Sequence, residues 1–94
     1  MTQESNITRR YFVTYSGIKL PLKLVNEITE QSLQNRNTYY CGHFDANDKI
    51  VRCQKIVYGE VESEHVYHYY YNGALKLAEM TEDDETRELS FHIL

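Results

Sequence analysis

Apolar and polar residues alternate along most of this chain, and turn residues interrupt the alternation at short intervals. A period of two is the spacing of a strand with one buried face, and it cannot be satisfied by a helix. The runs YFVTY (11–15), IKLPLKLV (18–25), TYYCGHF (38–44), KIVRCQKIVY (49–58), VESEHVYHYY (61–70), ALKLAEM (74–80) and TRELSFHI (86–93) all read as strands. Between them stand Ser16-Gly17, Asp45-Ala46-Asn47-Asp48, Gly59-Glu60, Asn72-Gly73 and the acidic run 81–85, all turn chemistry. The fold class is therefore all-β: an antiparallel β meander of about six to seven strands. The exception is NEITEQSLQNRN (26–37), where Asn26 could cap one short helix near 26–35, with a loop as the other option.

Ninety-four residues make one small domain, too short for two independent cores. Residues 1–8 read as a frayed terminus and 9–94 as the single β-rich domain. The net charge of −4 supplies no basic footprint, so nucleic acid is not expected as a partner. No apolar stretch approaches twenty residues and no leader is evident, so a cytoplasmic protein with no membrane partner is expected. Its two cysteines would then be reduced thiols.

Turn geometry sets the register. A three-residue loop at 71–73, with Gly73 left-handed, puts Tyr69 opposite Leu75 and Tyr67 opposite Leu77, leaving one face cleanly apolar. HFDANDKI (43–50) repeats as HYYYNGAL (68–75) at an offset of 72 − 47 = 25 residues, which predicts the same loop at 46–48 with Asp48 left-handed. Phe44 then faces Ile50, and Cys41 faces Cys53. A Gly59-Glu60 turn, a loop at 82–84 and a Ser16-Gly17 turn complete the register. The expected apolar face carries Phe44, Ile50, Ile56, Tyr58, Val61, Tyr67, Tyr69, Leu75, Leu77, Leu89, Phe91 and Ile93. An open sheet cannot cover its own face, so the N-terminal hairpin is expected to lie over it as a lid. Pro21, lacking an N–H, predicts an edge strand.

FDANDKIVR resembles a YD-type repeat, and YYYNGALKLAE resembles the strand-turn-strand units of MORN-like antitoxin repeats, each over about one hairpin. Across most of the chain, TYSGIKLPLKLVN, KIVYGEVESEH and YNGALKLAE resemble a family of short bacterial proteins of unknown function. That resemblance implies a small β-rich bacterial protein and brings no catalytic residues with it.

The candidate chemistry is sparse. Cys41, His43, Cys53, His65, His68 and His92 are ligand types, but their spacing matches no zinc pattern, so neither a metal nor any other cofactor is expected. Cys41 and Cys53 sit mid-strand, away from the loops where nucleophiles are usually held. The expected register aligns Tyr40, Gln54, His65 and Glu79 in a polar row on the concave face, with Arg52 one row away; this is a candidate ligand site, or simply the open end of the core. Tyr39, Tyr70 and His68 fall on the other, mixed face, where large aromatics suit an interface.

The sequence thus carries no catalytic signature. It favours a non-enzymatic interaction module that partners itself, as a homodimer, or another protein. A small-ligand binder using the polar row comes second, and a metal- or thiol-dependent enzyme third.

Overall fold

The computed structural model of the chain describes residues 6–92. Seven strands run Thr8–Ser16 (β1), Lys23–Ile28 (β2), Thr38–Phe44 (β3), Ile50–Val57 (β4), Glu60–Tyr69 (β5), Leu75–Glu82 (β6) and Glu85–Ser90 (β7). They form one antiparallel sheet in the order β2-β1-β3-β4-β5-β6-β7. The β3–β7 meander was readable from alternation alone. Of the expected frayed terminus, Thr8 already belongs to β1 and residues 6 and 7 precede it, while residues 1–5 lie outside the described residues, as does Ile93.

The N-terminal hairpin departs from expectation. Ser16 pairs with Lys23 and Tyr11 with Ile28, so the connection is a loop over 17–22 rather than a two-residue turn. The hairpin does not lie over the sheet; it extends it, with β2 as an edge. Pro21 stands in the loop just before that edge strand. In place of a helix over 26–35, β2 runs to Ile28 and a 3-10 helix follows at Glu30–Asn35. Thr29 makes no side-chain capping bond there, and a single 3-10 stretch of this length gains little without one.

The two predicted loops are present as paired copies. Asp48 and Gly73 take positive φ, 64° and 94°. The Asp45 N–H bonds the Lys49 carbonyl at 2.9 Å and the Tyr70 N–H bonds the Ala74 carbonyl at 2.8 Å. Phe44 opposes Ile50 and Tyr69 opposes Leu75, as expected. One residue further on, each hairpin bulges: Val51 and Lys76 oppose no partner, and 76 − 51 = 25 repeats the offset. A third bulge leaves Glu62 unopposed in β5.

These bulges correct the expected register. Cys41 opposes Gln54, while Cys53 opposes Gly42, so the two thiols face opposite sides of the sheet. Tyr67 opposes Ala78, not Leu77. Two turns also shift by a residue. Tyr58-Gly59 and Asp83-Asp84 are the two-residue turns, all four residues having positive φ, as a type I′ turn requires. Tyr58 and Val61 are consequently exposed, and Leu77 opposes Ser90 on the far side.

Opposed residues share a face, so the registers sort the sheet into two sides. One side holds the core: Ile50, Cys53, Tyr67 and Ala78, ringed by Leu20, Leu22, Leu24, Tyr40, Phe44, Tyr69, Leu75 and Phe91. The three leucines come from the 17–22 loop and the start of β2, so the loop, rather than the hairpin, covers the core. Tyr67 is 3% exposed, and its hydroxyl accepts the Leu22 N–H at 3.1 Å and ties the loop down. The other side is open and holds a small cluster in which Tyr39 opposes Ile56, Tyr11 opposes Cys41, and the two tyrosine rings meet edge to face at 6.0 Å.

Candidate interaction surface

On the covered side, Tyr67 carries a relay. Its oxygen accepts from Leu22, and its own buried O–H, which needs an acceptor, donates to His65 Nδ1 at 2.7 Å. That fixes the neutral His65 tautomer with its proton on Nε2. Burial lowers the His65 pKa, with Glu82 opposing, so the ring stays neutral near pH 7. His65 borders a cleft of about 450 Å³ lined also by Ser63, Met80, Glu82 and Arg87. A neighbouring cleft of about 250 Å³ brings His65 together with Tyr40, Tyr15 and Lys55.

The open side carries the other polar group. Glu64 accepts from Arg52 at 2.6 Å and from Gln54 at 2.8 Å. Burial would raise the Glu64 pKa, but those two bonds together with the Arg52 charge outweigh it and hold the carboxyl below its ordinary value. His43 opposes Arg52, and its buried Nδ1 has no hydrogen-bond partner. Burial, with Arg52 and Arg9 adding, lowers its pKa.

The polar row expected on one face is thus divided between two. Tyr40 and His65 lie on the covered side; Arg52, Gln54 and Glu79 lie on the open side, where Glu79 opposes Val66 and pairs with His68 at 3.3 Å. The bulges at Val51, Glu62 and Lys76 cause the division, since each moves every later residue to the other face. Tyr39, Tyr70 and His68 were expected on one mixed face. Tyr39 is half-buried against Tyr11, and His68 is exposed. Tyr70 is half-buried, and its hydroxyl donates to the Phe91 carbonyl at 2.5 Å, fixing the chain just past β7.

The thiols are poor nucleophiles. Burial pushes Cys53 up to about 12 and raises Cys41 as well. Among the described residues, no three His, Cys, Asp or Glu side chains gather where they could hold a metal ion. No described helix is long and apolar enough to cross a membrane.

What sequence reasoning missed lies at the β7 end. All six β7 residues are exposed. Beside the strand, Ile18, Leu20, Met80, Leu89 and Phe91 line an apolar groove of about 540 Å³, with Lys19 and Arg87 at its margin. Ile18 is 94% exposed and Leu89 48%. Leu89 was assigned to the core because the strand pattern reveals the face but not where the cover ends. No sequence signal marked Ile18 as standing outside: Ser16-Gly17 reads as a tight turn, whereas Ser16 pairs with Lys23 and residues 17–22 form a loop.

No curated protein and no solved structure matches the chain. One family model does, over residues 4–93, and its description is a family of unknown function. A match across nearly the whole chain shows that the protein belongs to that family of unknown function, DUF6156.

Proposed function

We propose that the protein is a non-enzymatic interaction module of a bacterial cytosol, working by adding a strand from another chain to β7, with the apolar groove gripping what that strand carries. The observation that carries this reading is an exposed, regular edge strand flanked by an uncovered apolar groove. Edge backbone groups give affinity and a side pocket gives selectivity in strand addition. The thin core supports it. Among the described residues seven apolar ones are buried and no large side chain is fully enclosed. The radius of gyration is 13.8 Å, against about 12 Å for a compact domain of this length. Tyr70 supports it too, by holding the end of β7 in place. The duplicated hairpin favours kinship with strand-turn-strand repeats of the YD and MORN kind.

Sedimentation equilibrium over a concentration series tests the reading, run on the wild type and on a double variant, Ile18→Asp with Leu89→Asp. The wild type should associate with itself, or retain one stoichiometric protein partner when immobilised, and the variant should lose that while staying folded by circular dichroism. A wild type that remains monomeric and retains nothing overturns the reading.

A second reading, a small-ligand site, has one observation in its favour: the fixed His65 tautomer leaves its Nε2–H for a cleft that also holds Arg87 and Glu82. Titrating small carboxylates while following the His65 ring by NMR tests it, and unmoved ring signals at millimolar ligand would remove it.

A further inference from the structure

The two edges of the sheet are built differently. At β2 the ladder skips Val13 and Asn26, where Asn26 takes φ of 64°, and the strand is hemmed by the 17–22 loop and the 3-10 helix. Such interruptions blunt an edge. At β7 the register with β6 runs unbroken from Leu77–Ser90 to Glu82–Glu85. Because Glu82 and Glu85 flank a two-residue turn, the backbone of Glu85, Arg87 and Leu89 points at β6; the Phe91 N–H on the Lys76 carbonyl, 2.9 Å, follows the same alternation. The N–H and C=O groups of Thr86, Glu88 and Ser90 therefore point away from the sheet, and among the described residues no strand pairs with them.

Resting on the interaction reading above and narrowing it, we infer that the occupant of this edge is a second copy of the chain, paired antiparallel about a two-fold at Leu89. Sequence chemistry selects that centre. Strands joined through their outward groups must oppose odd with odd and even with even residues. A two-fold at Arg87 sets two guanidiniums against each other, and one at Glu88 sets two carboxylates, both destabilising when directly opposed. A two-fold at Ser90 leaves only Ser90 opposed within the strand, whereas one at Leu89 keeps Glu88, Leu89 and Ser90 opposed within it. Centred on Leu89, two leucines meet, Arg87 lies across from Phe91 of the second copy, and Glu88 bonds through its backbone to Ser90. The grooves of the two copies, each lined by Leu89 and Phe91, become one continuous apolar trough. The acidic turns at Asp83-Asp84 sit at opposite ends, about 40 Å apart along the strands, several Debye lengths at physiological salt.

Cysteine scanning reads the register. Each of Arg87→Cys, Glu88→Cys, Leu89→Cys and Ser90→Cys is oxidised mildly, with the wild type, whose two thiols are buried, as the control. Leu89→Cys should give covalent dimer well above the other three, because only the residue on the two-fold meets its own copy within disulfide reach. Leu89→Asp, opposing two carboxylates there, should weaken the wild-type dimer by roughly tenfold or more in sedimentation. Cross-linking strongest at position 87, 88 or 90, or a dimer indifferent to Leu89→Asp, overturns the inference while leaving the interaction reading intact. A strictly monomeric wild type overturns the inference; with no partner retained, the broader reading falls as well.

Discussion

At Tyr67 a single hydroxyl serves two groups from different parts of the fold. The Leu22 N–H and His65 Nδ1 both bond to it, and one belongs to the covering loop while the other borders the cleft. Tyr67→Phe keeps the ring and its packing but strands both, and a buried polar group left unpaired costs about 1–3 kcal/mol. The expected outcome is an unfolding free energy lower by that amount, read as a lower urea midpoint with an unchanged m-value. Gly42 poses the converse case. A Cβ there would stand 2.8 Å from Phe44 Cε1 and 2.9 Å from Leu24 Cδ1. Phe44 is held from above by the Arg10 guanidinium, 4.8 Å from its ring centroid, and Arg10 is in turn paired with Glu27 at 2.8 Å and Asp48 at 3.2 Å. Replacing a strand glycine normally gains about 0.5–1 kcal/mol, while forcing atoms into a filled space costs about 1–3 kcal/mol. Overpacking wins, so Gly42→Ala should lower the melting temperature, whereas a rise would mean that Phe44 moves aside freely.

The hairpins divide into those with glycine or asparagine at the demanding position and those without, and that division decides what could be read in advance. Loop 71–73 was readable because Gly73 can take φ of 94° without penalty; Gly73→Val should cost about 1–2 kcal/mol in denaturant unfolding. The repeat carried the same conclusion to Asp48. Tyr58-Gly59 and Asp83-Asp84 misled by one residue, because Tyr and Asp are not the residues a type I′ turn advertises. Asp83→Asn with Asp84→Gly supplies them and also removes two charges from a run of four acids. The pair should stabilise the protein by about 1 kcal/mol, measured by thermal unfolding. The bulges had no signal at all: Val51, Glu62 and Lys76 are ordinary strand residues, without the Gly or Pro that marks a bulge in sequence. Strand existence, strand order within the meander and the Tyr67/Tyr69 core were therefore recoverable from alternation. The sidedness of Arg52, Gln54 and Glu79 was not, and the candidate row failed with it.

Taken whole, the molecule is one sheet with a histidine partly buried on each side, and this sets how it should respond to acid. His65 on the covered side and His43 on the open side both have pKa values below the ordinary 6.5, chiefly through burial. The unfolded chain then binds protons that the folded chain refuses, so stability rises with pH across this range. The contribution is fully present above about pH 6.5 and is lost as pH falls through the window between that value and the lowered folded ones. His65 has a second reason to resist, since a proton on Nδ1 leaves the Tyr67 O–H without its acceptor in a nearly closed position. Carboxylates such as Glu64 and Glu27, held low by their arginine partners, release their share only at more acid pH, which separates the two effects. Urea midpoints of the wild type should therefore fall between about pH 7 and about pH 5. His65→Gln, which can still accept from Tyr67 and does not titrate, should show a shallower fall over the same interval, with His43 accounting for what remains. Parallel curves for the two proteins would mean that the His65 ring takes up its proton in the folded state as readily as in the unfolded one.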